Sequence, residues 1–157
     1  MSQIRYALPL FCPLKIEEAD PTPGNIHKIR VAFNDCLRLL TGVKPTEHRS
    51  IKSMLDELNW LSINQMSAQT RLMEAWKAIN VEDYCMKDTL KIRTKGAYKT
   101  RSSDMVLLDH GDDGLHTGFA NPTSKIWNKA PRKIKQAESI YQAKKSIRDY
   151  VAENIPI

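Results

Sequence analysis

The stretch that decides the fold runs from residue 62 to residue 80 and reads SINQMSAQTRLMEAWKAIN. Ser62 is followed three positions later by Gln65, the spacing of a capping box, in which each side chain satisfies a backbone amide that the first helical turn leaves free. Leu61 and Met66 flank this turn and can close it as a hydrophobic staple. The apolar residues that recur at helical intervals are Met66, Leu72, Met73, Trp76 and Ile79. The sequence therefore predicts a helix over this whole stretch, with one buried face.

Two amphipathic helices are predicted on the N-terminal side of that stretch. Apolar residues recur at helical spacing after Gly24, and Gly42 is a natural stop, so the first helix is expected over about 25–41. Its apolar positions are Ile26, Ile29, Phe33, Cys36, Leu37 and Leu40. Thr46, after Pro45, is the predicted N-cap of the second helix. The apolar stripe of the second helix comprises Ile51, Met54, Leu55 and Leu58.

The pattern changes on the C-terminal side. A short helix is expected near 82–90, but residues 91–130 are polar and rich in turn-forming residues and are not expected to form a helix. A strand at 105–108 and a returning strand at 117–120, joined by a turn at 109–114, predict a β-hairpin.

The last predicted element is a helix that begins after Ser139, with Gln142 completing a second capping box. Its apolar face comprises Ile140, Ala143, Ile147, Tyr150 and Val151, and its outer face Lys144, Lys145, Arg148 and Asp149. The fold class expected is mainly α, a small helical bundle with a short β-hairpin or irregular segment before the last helix. The expected anchors of its core are Trp60, Trp76 and Trp127.

Residues 1–24 form a distinct N-terminal arm. They hold four of the eight prolines, which fix φ and remove backbone donors, so the arm is expected to be extended or looped. The arm has an apolar patch that should be shielded from water. Either the patch packs against the helical part of the protein, or it marks the edge where a larger protein once continued. The patch comprises Tyr6, Leu8, Leu10 and Phe11. The predicted division is this arm, a helical bundle over 25–90, and a basic loop or hairpin with the C-terminal helix over 91–157.

The composition is basic, with a formal net charge of +6 and a pI of about 9.3. Excess positive charge attracts polyanions, and each neutralised phosphate releases counterions. A first basic run, which includes Tyr98 as a base-stacking candidate, comprises Lys91, Arg93, Lys95, Lys99 and Arg101. A second cluster around Trp127 comprises Lys125, Lys129, Arg132, Lys133 and Lys135. Both suit a phosphate backbone, and the alternative is that both are ordinary solvated faces.

The cysteines and the hydropathy pattern indicate in which cellular compartment the protein is expected. The three cysteines, Cys12, Cys36 and Cys85, are widely spaced and form no CxxC pair, so neither a disulfide framework nor a zinc site is predicted. No stretch approaches the ~20 apolar residues of a membrane span. We therefore expect reduced thiols, an intracellular location in the cytoplasm or nucleus, and no membrane partner.

No residue pattern amounts to a complete catalytic site. Asp112 and Asp113 are paired carboxylates, but a polymerase needs a third carboxylate and a palm sheet, for which this short helical chain has no room. An EF-hand loop beginning at Asp109 fails because Gly111 and Ala120 stand where oxygen ligands are required. No phosphate-binding loop or nucleophile motif is present. We predict no catalytic residue, no metal and no cofactor, so the protein is not expected to be an enzyme.

Five short sequence motifs give information that composition alone does not give. In chain order they are CLRLLTG (36–42), LNWLSI (58–63), AWKAIN (75–80), RSS (101–103) and KIWNKAP (125–131). Together they resemble the region that follows the catalytic palm in reverse transcriptases of non-long-terminal-repeat retrotransposons, over about 6–150. Ser62, Trp76 and Ala130 stand where that family usually has proline, tyrosine and leucine.

The resemblance implies a thumb and post-thumb region, which helps to hold the template–primer duplex. The family's catalytic aspartates lie upstream, so no catalytic residue carries over. The matched basic positions Arg38, Lys77, Arg101 and Lys125 are expected to contact phosphates, and the tryptophans to pack the core rather than to stack on bases. Adding the two clusters, the predicted nucleic-acid contacts are Arg38, Lys77, Lys95, Lys99, Arg101, Lys125, Lys129, Arg132 and Lys133.

The expected function is a non-catalytic nucleic-acid-binding module with RNA or DNA as partner, and an upstream polymerase domain as a candidate second partner. The alternative is a helical protein–protein interaction module with no nucleic-acid role. A third reading is an enzyme with a metal bound at the 109–116 loop, where His110 and His116 stand near aspartates.

Overall fold

A computed structural model describes residues 24–44, 46–90, 92, 106–109 and 117–157 of the chain. Within these ranges the helices are α1 (Gly24–Thr41), α2 (Ile51–Leu58), α3 (Ile63–Asn80), α4 (Thr117–Lys129), α5 (Arg132–Lys135) and α6 (Ile140–Asn154). The described part is mainly helical and contains no strand, which confirms the predicted fold class of a mainly α bundle. The arm at 1–23 lies outside the described residues.

Helix α3 begins and ends as predicted because its cap is complete. The Gln65 amide donates to Ser62 Oγ at 3.2 Å, and the Ser62 amide donates to Gln65 Oε1 at 3.0 Å. Leu61 and Met66 share one buried cluster at this end, as a hydrophobic staple requires. The predicted capping box is therefore confirmed.

The main core forms where α3 packs against α4 and α6. Trp127 is fully buried and its Nε1 donates to the Val106 carbonyl at 2.9 Å. Trp76 is buried too, and its Nε1 donates to the Ala137 carbonyl at 3.3 Å. Both tryptophans anchor this core, as predicted, whereas Trp60 is half-buried in a second cluster between α1 and α2.

That second cluster joins α1 to α2. The fully buried Leu37 of α1 packs with Met54 and Leu55 of α2. Helix α1 has the predicted bounds within one residue, but the prediction of Thr46 as the cap of α2 is wrong. The cap is Ser50, whose Oγ accepts from the Ser53 amide at 3.1 Å, because α2 starts only where its apolar stripe starts.

The predicted returning strand at 117–120 is wrong, because these residues form the first turn of α4. Helix α4 contains Pro122 at its sixth position, where proline cannot donate the helical hydrogen bond to the Gly118 carbonyl. Its buried hydroxyls at Thr123 and Ser124 bond back to the carbonyls of Phe119 and Ala120, at 2.5 and 2.9 Å. Glycine and proline in this stretch suggested that no helix forms here, but packing against α3 stabilises the helix in spite of them.

Residue 105 of the predicted strand at 105–108 lies outside the described residues, and among the residues that are described Leu108 forms one isolated antiparallel bridge, with Ile92. In place of a partner strand, α4 holds this segment with side chains. The Leu108 amide donates to Asn128 Oδ1 at 3.0 Å, and Asn128 Nδ2 donates to the Leu108 carbonyl at 2.9 Å. Ser124 Oγ also donates to the Asp109 carbonyl at 2.8 Å.

Two further predictions are corrected in detail. Residues 82–90 form consecutive turns rather than a helix, held by the buried Leu90.

Helix α6 has the predicted cap at Ser139. The capping box differs from the prediction, because Gln142 Oε1 accepts from the Glu138 amide and not from the amide of Ser139. Ile140 is 54% exposed and is not part of the buried face of α6.

The end of the described chain is tied to the start of α3. Gln65 Nε2 donates to the Ile155 carbonyl at 3.1 Å, and Asn64 Nδ2 donates to the Pro156 carbonyl at 2.9 Å. Carbonyls at the end of α6 thereby gain partners that the helix cannot supply. No helix in the described part of the chain is long and apolar enough to cross a membrane.

Candidate nucleic-acid interface

Two segments of the chain carry basic residues and no acidic ones. Residues 117–137, which contain α4 and α5, include five lysines and arginines and no aspartate or glutamate. Residues 91–103, of which the structure describes only Ile92, likewise include five lysines and arginines and no acidic residue. Over the rest of the chain the acidic residues outnumber the basic ones by four, 18 against 14.

Helix α4 presents its cations because its other face is committed to the core. Ile126 and Trp127 are buried, and Lys125 and Lys129, one helical turn apart, are exposed. Pro131 caps α5 with an extended backbone, and the first two residues of α5, Arg132 and Lys133, are exposed as well. We call the four exposed side chains, Lys125, Lys129, Arg132 and Lys133, the α4–α5 basic surface.

Lys135, the fifth cation of the segment, has a structural role. It is half-buried, and its Nζ donates to the Asn128 carbonyl at 3.0 Å near the end of α4. A cation there satisfies a carbonyl that the helix end leaves free and interacts favourably with the helix dipole. Desolvation by burial lowers the pKa of Lys135 below its ordinary value.

Two other predicted contacts lie on different elements. Lys77 of α3 is paired within the protein: its Nζ lies 3.1 Å from Glu74 Oε1 and 5.5 Å from the centre of the Tyr84 ring. The Tyr84 hydroxyl donates to the same Glu74 carboxylate. Arg38 is half-buried on α1, in the helix pair that α1 forms with α2. The positive charge of Lys77 is therefore compensated within the protein by Glu74.

The remaining predicted contacts, Lys95, Lys99 and Arg101, lie outside the described residues. Both ends of their segment are nevertheless placed. Ile92 and Leu108 form the bridge that closes this loop, and Leu108 is bonded to Asn128 on α4. The described residues that flank the undescribed segment, Ile92 and Leu108, therefore lie near the helix that carries Lys125 and Lys129.

Burial decides the role of two of the tryptophans. Trp127 is 0% exposed and Trp76 is 5% exposed, so neither ring face is open to a nucleobase. Trp60 stacks on Phe33 with ring centres 6.4 Å apart. The expectation that tryptophans 76 and 127 pack the core is confirmed.

The sequence analysis missed Arg71, which fixes the start of α4. Arg71 is fully buried, its Nη1 donates to the Phe119 carbonyl at 3.0 Å, and its guanidinium lies 5.3 Å from the centre of the Phe119 ring. The signal was present in the spacing, because Arg71 shares the buried face of α3 with Ala68, Leu72 and Ala75. A buried arginine on an apolar face indicates partners supplied by another element.

The metal-site reading of the 109–116 loop can be compared with the structure only in part. No group of three or more His, Cys, Asp or Glu residues lies there with the geometry to hold a metal ion. The proposed metal loop is described only at Asp109, since residues 110–116 lie outside.

Comparisons with protein-family models, with curated proteins and with solved structures return no match.

Proposed function

We propose that the protein is a non-catalytic nucleic-acid-binding module that holds a duplex against its α4–α5 basic surface. The observation that carries this proposal is that residues 117–137 hold five lysines and arginines and no acidic residue, with four of these cations exposed on α4 and α5. Lysine and arginine side chains of this kind contact phosphates and fix the position of a duplex without reading its sequence.

The resemblance to retrotransposon reverse transcriptases supports a template–primer duplex as the ligand. Its KIWNKAP element coincides with the end of α4, where Trp127 and Asn128 hold the 106–109 segment and Lys125 and Lys129 face outward. This short motif thus supplies side chains that pack inside the protein and, on the other side of α4, side chains that carry positive charge to the surface. A scaffold that fixes cations on rigid helices reduces the entropy lost when they meet a phosphate backbone.

Charge-driven binding has a characteristic salt dependence. If the four cations of the surface each neutralise one phosphate, the logarithm of the association constant falls with the logarithm of salt concentration with a slope of about −3.6 on duplex DNA. Because phosphate contacts carry no sequence information, oligonucleotides of unrelated sequence should bind alike.

Fluorescence anisotropy with labelled DNA duplexes and RNA–DNA hybrids tests the proposal. Lys125→Gln with Lys133→Gln removes two cations from the surface and should reduce the salt slope by about 2. The matched control, Lys28→Gln with Lys52→Gln, removes the same charge from exposed positions on α1 and α2 and should leave the slope nearly unchanged. Equal losses in the two variants would mean that only total charge matters, and the proposed surface would then be wrong.

The same titration separates the alternative of a protein-interaction module. Such a module has no need of phosphate contacts, so it predicts no duplex binding even at low salt. Absence of binding to both duplex types at about 20 mM salt, where such contacts are strongest, would therefore overturn the proposed function.

A further inference from the structure

Helix α1 carries an apolar stripe that the described residues leave uncovered. Leu39 is 84% exposed, Leu40 55% and Ile29 43%. The stripe comprises Ile29, Ala32, Cys36, Leu39 and Leu40, all exposed. Their spacing of i, i+3, i+7, i+10 and i+11 places them on one face, beside the buried face of α1 that holds Leu37. A continuous apolar stripe on an outer helix face indicates an interaction surface.

We propose that the chain covers this stripe with its own segment 6–11. In that segment apolar side chains alternate, so an extended conformation places Tyr6, Leu8 and Leu10 on one face. Extended over residues 6–11, the segment is about 17 Å long. The stripe from Ile29 to Leu40 rises about 16 Å along α1. The two apolar surfaces therefore match in length.

The connection between them favours this occupant over a second copy of the chain. Residues 12–23 link the segment to Gly24 and can span about 40 Å, more than the ~27 Å length of α1. A tethered segment is present at a high effective concentration and loses no translational freedom when it docks. The link is acidic, with Glu17, Glu18 and Asp20 against one lysine, whereas α1 has Lys28, Arg30 and Arg38 against one aspartate, so the charges are complementary.

The thiols of the chain provide the test. Cys36 lies within the stripe and Cys85 lies in the turns after α3, and both are free. In the full-length protein, N-ethylmaleimide should alkylate Cys36 about tenfold more slowly than Cys85, because it reacts only from the undocked fraction. Rates are measured by peptide mass spectrometry and normalised to those of the denatured chain.

A double substitution in the segment should remove the protection. Leu8→Asp with Leu10→Asp is expected to raise the Cys36 rate about tenfold and to leave the Cys85 rate unchanged. The control, Ser2→Asp with Gln3→Asp, adds the same charge outside the patch and should leave Cys36 protected. Circular dichroism confirms that both variants remain folded.

Two outcomes would overturn this inference. Cys36 reacting as fast as Cys85 in the parent chain would show that the stripe is uncovered. Protection of Cys36 that disappears on dilution, together with a dimer in light scattering, would assign the stripe to a second copy of the chain.

Discussion

Replacing Asn128 with alanine removes both hydrogen bonds by which α4 holds the backbone of Leu108. These bonds measure 3.0 and 2.9 Å, and Leu108 itself is only 1% exposed. Each intramolecular hydrogen bond contributes about 1 kcal/mol net to stability. We therefore expect Asn128→Ala to lower the free energy of unfolding by about 2 kcal/mol. For a chain of this size the melting temperature should fall by about 4–8 °C.

Urea denaturation followed by tryptophan fluorescence measures this loss directly, because Trp127 lies next to the substituted residue. The matched control is Asn154→Ala, which removes one exposed bond, from Nδ2 to the Tyr150 carbonyl at 2.9 Å, and should cost less than about 0.5 kcal/mol. If both variants lose the same small amount, Asn128 does not clamp the 106–109 segment, and the account of this part of the fold is refuted.

Two further predictions concern a helix cap and a buried amine. Ser62→Ala removes the acceptor for the Gln65 amide and should cost about 1 kcal/mol in urea denaturation, whereas Ser62→Thr should retain most of the stability; equal losses would contradict the cap. Because burial lowers the pKa of Lys135, the folded protein binds this proton less tightly than the unfolded chain, and the resulting penalty fades as pH rises. The stability of the parent relative to Lys135→Met should therefore increase as the pH rises towards the ordinary lysine pKa of about 10.4, and a flat difference would contradict the burial of this amine.

The sequence specified the helices whose signals are local. The capping box at Ser62 and Gln65 involves residues three apart, so it could be recognised without knowing any tertiary contact. The same holds for α1, whose apolar spacing and terminal Gly42 mark its bounds, and Gly42 adopts a positive φ of 68°. Fold class followed from these elements.

Helix α4 could not be recognised in the same way, because its stability comes from tertiary contacts. Gly118 and Pro122 weaken its intrinsic preference for helix, whereas the buried Arg71 of α3 supplies a hydrogen bond and a ring contact to Phe119. No local pattern shows that an arginine nearly fifty residues upstream stabilises the first turn of a helix. By contrast, the ion pair of Lys77 with Glu74, three residues apart on α3, is a local pattern, and only the contact of Lys77 with the Tyr84 ring depends on where Tyr84 lies after the end of α3.

The chain enters the first basic run at Ile92, close to the helix that carries Lys129. Ile92 is bridged to Leu108, and Leu108 is bonded to Asn128, the neighbour of Lys129. Lys95 follows Ile92 by three residues in the sequence, so on the proposed function the first basic run is a candidate second set of phosphate contacts.

A duplex lying on the α4–α5 basic surface should therefore meet both sets of cations at once. On the proposed function, Lys95→Gln with Lys99→Gln should reduce the salt slope of duplex binding, and the reduction should add to that of Lys125→Gln with Lys133→Gln. Binding should remain one protein per short duplex, because the two sets serve one site. Should the loop variant leave the slope unchanged while the α4–α5 variant lowers it, the loop cations do not contact the duplex.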